Sequence, residues 1–177
     1  MFAIQASRPR TLSCFEPDDE TLSDAIETVF PLKAELALLV WNGVYIPLDY
    51  KYDVSCLISD TIDLLSNILD HAKGTREVNW FSSSFTTTWN LSWEGGRLRI
   101  QSRWIVVTGG TEPLLNERNT IECDREAFLA EWKMLLIVVH EGLLRAGYAP
   151  NVLAGLGELE RVISRIGGEG TFYGAEV

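Results

Sequence analysis

The residues best equipped for chemistry crowd into one stretch, VWNGVYIPLDYKYDVSCLISDTIDLL, residues 40–65. It sets out Asp49, Asp53, Asp60 and Asp63 with Lys51 as the only base, and Asp70 follows shortly after. Asp60, Asp63, Asn67 and Asp70 are spaced by three, four and three, so a helix projects all four from one face. Grouped carboxylates can hold a divalent ion, exchange protons with a substrate, or present negative potential to a cationic partner. A hard cation needs oxygens converging from several directions, which a single helical face does not supply. A solvated face and a protein-docking face therefore fit this pattern better than a metal or catalytic site. Asp53 suits a helix N-cap.

Other chemistry is thinly represented. HEGLL at His140 opens like a zinc-protease HExxH, but Leu144 stands where the second ligand is required. GLGELE at Gly155 lacks the third glycine of a dinucleotide fingerprint and lies in a helical pattern. There is no GxxxxGK[ST] phosphate loop, no GxSxG elbow and no CxxC pair. The two histidines fit structural places: His71 near a helix C-terminus, and His140 on the flank between two apolar sides of a long helix. No catalytic residue, metal or cofactor is expected.

The chain has 177 residues, 46% of them hydrophobic, with six tryptophans. That is enough for one globular domain spanning 1–177 with a sizeable core. The opening MFAIQASRPR lacks the pattern of a secretory leader, so none is expected, and the longest apolar run, Met134 to Val139, is far short of a bilayer span. Three dispersed cysteines, Cys14, Cys56 and Cys123, then read as reduced, packed thiols of a cytoplasmic protein. Net charge is −10, and residues 1–70 carry 12 acidic against 4 basic side chains. Such a field repels a phosphate backbone and steers a basic protein inward, so a nucleic-acid partner is not expected.

These residues need elements to position them. Phe2, Ile4 and Ala6 alternate as in a half-buried strand. Thr21 and Asp24 form a capping box before a short helix carrying Leu22, Ile26, Val29 and Phe30. Asn42-Gly43 marks a type I′ hairpin in which Trp41 faces Val44, Val40 faces Tyr45 and Leu39 faces Ile46. The clearest helix runs from about Val54 to Lys73 with Lys73-Gly74 at its end. A second hairpin turns at Gly95-Gly96, pairing Glu94 with Arg97, Trp93 with Leu98 and Leu91 with Ile100. Its buried face holds Trp89, Leu91, Trp93, Leu98, Ile100 and Trp104. Its wet face holds Asn90, Ser92, Glu94, Arg97, Arg99, Gln101 and Arg103. EVNWFSSSFTTT adds an earlier strand or extends the first arm. After a loop around TGGTEPLLNERN come helices from about Asp124 to Ala146 and Val152 to Ile166. The order predicts an α+β fold, an antiparallel sheet built from hairpins and packed on one side by helices. The long helix carries Met134, Ile137 and Leu144 opposite its core stripe, which suits burial under the last helix or a homodimer face.

WNGVYIPLDYKYDVSCLISDTIDLL, WNLSWEGGRLRIQSRW and FLAEWKMLLIVVHEGLLRAGY together resemble the small acidic immunity proteins of bacterial polymorphic toxin systems. The resemblance lies in general character rather than in a motif, an acidic and compact chain with tryptophan-rich hairpins beside helices. It implies a bacterial, non-enzymatic protein that occludes a basic toxin domain by binding it. The docking residues expected from the acidic stretch are Asp49, Asp53, Asp60, Asp63 and Asp70. The alternative is a small-molecule-binding or enzymatic domain, with a pocket between helices and the tryptophan-rich sheet face and Tyr45, Tyr50, Trp89 or His140 at its mouth.

Overall fold

The computed structural model describes residues 1–167. Strand β1 (Phe2–Gln5) leads through a long acidic loop to α1 (Leu22–Val29). The hairpin β2 (Ala37–Trp41) and β3 (Val44–Leu48) follows, then a π-helical turn (Tyr50–Val54) that runs into α2 (Ser55–Asp70). Next come β4 (Lys73–Phe81), β5 (Phe85–Glu94), β6 (Arg97–Val107), the short α3 (Glu112–Glu117) and β7 (Thr120–Asp124). The described residues end with α4 (Arg125–Ala146) and α5 (Leu156–Arg165). The fold is α+β, as expected, and its strands divide between two antiparallel sheets. One has the order β1-β2-β3 and the other β4-β5-β6-β7.

Both hairpins have the registers read from their turns. Trp41 pairs with Val44 and Leu39 with Ile46 around Asn42 (φ 46°) and Gly43 (φ 84°), the positive dihedrals that a type I′ turn demands. Glu94 pairs with Arg97 and Trp93 with Leu98 across Gly95-Gly96. The alternation along β5 and β6 buries Trp89, Leu91, Trp93, Leu98, Ile100 and Trp104 and leaves the seven polar partners exposed.

The inner faces of the two sheets meet through aromatic rings. Trp41 from the smaller sheet lies 5.1 Å from Trp89 and 5.4 Å from Trp104 in the larger. Phe2 packs on Phe128 of α4 at 4.8 Å, and Trp80 lies 5.2 Å from Trp89. Large rings at these separations combine extensive apolar burial with favourable edge-on or offset geometry. A second joint is polar. The Trp41 indole N–H donates to the Arg118 carbonyl at 2.8 Å, while the Asn42 amide donates to the carbonyls of Arg118 and Thr120. The hairpin turn of one sheet is thus bonded to the segment entering β7 of the other.

Several boundaries differ from the sequence reading. Helix α2 ends at Asp70, because His71 is already extended and Lys73-Gly74 begins β4. Gly74 is required there by Trp93: a Cβ on Gly74 would stand 2.3 Å from that ring. Helix α5 starts at Leu156, after a longer irregular connection than expected. Cys14 and Cys56 are exposed thiols rather than packed ones, and Cys123 is half-buried. Among the described residues no helix is long and apolar enough to cross a membrane.

Candidate docking surface

The five aspartates singled out by the sequence separate into two roles. Asp53 is wholly buried and does not belong to a docking surface. Asp49 caps the π-helical turn by accepting from the Tyr52 amide at 3.1 Å, and its carbonyl receives both the Asp53 and Val54 amides at 3.0 Å. Asp53 lies within this π-helical turn rather than capping α2, and its carboxylate points inward. There Asp53 accepts from the Ser83 hydroxyl (2.8 Å), the Ser84 amide (2.9 Å), the Ser84 hydroxyl (2.8 Å) and the Asp49 amide (2.8 Å). Four donors compensate a buried carboxylate without a cation. The sequence trace of this site is the serine run between β4 and β5, three hydroxyls with no base nearby.

Lys51 does not balance the carboxylates either. Its ammonium donates to the Glu27 carbonyl at the end of α1, where a cation complements the helix dipole. The aromatic ring of Tyr50 faces inward and stacks on Phe30 at 5.0 Å.

Asp60, Asp63 and Asp70 are brought together as expected, on the outer side of α2, and all three are exposed. Asp63 reaches Arg76 of β4 at 3.7 Å, and Asp70 meets Arg165 of α5 at 2.7 Å. Both carboxylates keep more than half of their side-chain surface in solvent, where ion pairs are weak and exchange readily. Asp49 is half-buried, before the π-helical turn.

The other candidates are dispersed. Tyr50 and Trp89 are 2% and 1% exposed, within the packed core, so neither lies at a mouth. Tyr45 is exposed on β3, and His140 contacts Glu160 of α5 at 3.0 Å. The space between helices and tryptophans is occupied by the rings described above. Of the apolar residues on the back of α4, Met134 is buried and Ile137 half-buried within the single chain, which leaves Leu144 exposed. The wet face of the larger sheet has a shallow depression of about 590 Å³ lined in part by Lys73, Glu94, Arg97, Arg99 and Glu122. Lys73 pairs with Glu94 at 2.8 Å and Arg99 with Glu122 at 3.7 Å, so its charges largely offset one another. Among the described residues no group of three or more His, Cys, Asp or Glu is placed to hold a metal ion.

Burial and hydrogen bonding shift two tyrosines. Desolvation, then the hydrogen bond to the Asp19 carboxylate, pushes the Tyr148 hydroxyl up to about 12. Burial also raises Tyr50. Both hydroxyls hold the chain around them: Tyr148 receives the Glu16 amide, and Tyr50 donates to the Ser7 carbonyl. Comparison with protein-family models, curated proteins and solved structures finds no match.

Proposed function

We propose that this chain is a non-enzymatic binding protein that docks a basic protein domain, in the manner of an immunity protein covering its toxin. The observation that carries this reading is the exposed row Asp60, Asp63 and Asp70 on α2, placed in the part of the chain that holds most of its net negative charge. Clustered carboxylates of this kind accelerate encounter with a cationic surface and cover the side chains that would otherwise hold phosphate. Asp49 contributes at the margin of the same segment, and Asp53 contributes only by fixing the backbone that precedes α2.

The test is affinity capture from native extract with the intact chain and with the triple variant Asp60→Asn, Asp63→Asn, Asp70→Asn. A stoichiometric basic protein should be held by the first and associate more slowly with the second, with an on-rate that falls as salt is raised. Capture of nothing stoichiometric, or equal capture by both forms at every salt concentration, would remove the reading.

A further inference from the structure

Among the described residues several strand edges are blocked in different ways, while the long edge of β4 has no neighbour. On β1 the Ile4 amide donates to the Glu131 carboxylate of α4 at 3.0 Å. On β3, Pro47 has no N–H to offer. Strand β6 outruns its five-residue neighbour β7, and α3 closes the excess. Trp104 exchanges hydrogen bonds with the Asn116 side chain, both 2.9 Å, Val107 donates to Glu112, and Ser102 donates to the Asn119 carbonyl. Strand β4 is nine residues long and, among the described residues, pairs with β5 alone.

The phase of its open groups follows from the hairpin. Ser82 donates to the Phe85 carbonyl, and pairs alternate along an antiparallel ladder. The register then directs the backbone N–H and C=O of Thr75, Glu77, Asn79 and Phe81 away from β5. Their side chains are exposed as well. The charge beside this edge is negative by one, Lys73 and Arg76 standing against Glu77, Glu94 and Asp63. Glu77 lies on it, and Asp63 of α2 reaches Arg76 of the same strand from the other face of the sheet. The strand's own cations are engaged, Lys73 with Glu94 and Arg76 with Asp63.

We propose that the open edge of β4 receives an extended, lysine- or arginine-rich segment of the partner protein as a fifth strand of the larger sheet. Main-chain hydrogen bonds supply the attachment, and the flanking carboxylates select the charge. A second copy paired in register about Glu77 would set the two Glu77 side chains opposite each other, which disfavours that self-pairing. The inference rests on the docking reading and gives it a contact mode.

A nine-residue peptide alternating threonine and lysine is the probe, with an alternating threonine–glutamate peptide as control. Amide hydrogen exchange is followed by NMR on the whole chain. The lysine peptide should slow exchange at Thr75, Glu77 and Asn79 by about tenfold or more while Arg76 and Val78 are unchanged. In Glu77→Pro, where the lost N–H faces away from β5, the protection should disappear with little change in melting temperature. No protection at millimolar lysine peptide, or equal protection by the glutamate peptide, overturns the proposal. So does protection that grows with protein concentration alone, which would identify a second copy as the occupant. Peptide pairing without capture of any basic protein would sink the docking reading and leave the edge. Capture through Asp60, Asp63 and Asp70 without peptide pairing would sink the edge alone.

Discussion

Asp53 and Asp60 have the same side chain and opposite placements, one buried and one exposed, and substitution separates them. Asp53→Ala deletes the buried acceptor of four hydrogen bonds and leaves the half-buried donors of Ser84 and Asp49 without it. Its expected cost is about 3 kcal/mol, seen as a lower urea midpoint. Asp60→Asn should stay within about 0.5 kcal/mol of the parent, because the group is exposed. Equal effects would contradict the inward placement of Asp53. Tyr148 gives a pH prediction at the same scale. Its folded-state pKa is pushed up to about 12 from an ordinary 10.0. The neutral hydroxyl is therefore favoured by the fold. That contribution is fully present below pH 10 and is lost as pH rises from 10 towards 12. Melting temperature followed from about pH 9 to about pH 11.5 should fall in this upper window, and the slope should lessen in Tyr148→Phe. A flat profile would argue against the buried, Asp19-bonded hydroxyl.

At the scale of elements, local chemistry is legible wherever a short segment fixes its own backbone. Asn42-Gly43 and Gly95-Gly96 set two hairpin registers, and Thr21 with Asp24 marks the start of α1. Asp124 likewise caps α4, and Gly147 ends it at φ 107°. The aspartate row on α2 is readable because it needs only helical periodicity. What escapes depends on partners distant in sequence. Asp53 reads as a helix cap because its serine donors lie some thirty residues onward, in another hairpin. Lys73-Gly74 has the form of a helix end, although Gly74 is glycine because of the Trp93 ring. Strand β7 and helix α3 are hidden in a polar stretch whose structure comes from closing the β6 edge. Gly74→Ala tests that contact: the added methyl overpacks against Trp93 and should destabilise by about 1–3 kcal/mol in chemical denaturation. An unchanged midpoint would mean that the indole moves aside freely.

For the whole molecule, the joint between sheets is the feature with the widest reach. Asn42 serves twice, adopting positive φ in the turn and donating to two carbonyls of the other sheet. Asn42→Gly keeps the first property and loses the second. It should cost about 1–2 kcal/mol despite glycine's ease in the turn, and thermal unfolding measures it. No loss would show that the Asn42 amide adds nothing to the joint beyond the Trp41 hydrogen bond and the aromatic contacts. Those contacts have an optical consequence. All six tryptophans are at most 3% exposed, so native fluorescence should peak at short wavelength and shift red only when the interior opens. Attachment along α2 or the outer margin of β4 leaves every indole in place and should be dark to that emission. A change in tryptophan colour would thus report melting, while recognition needs a dye placed outside.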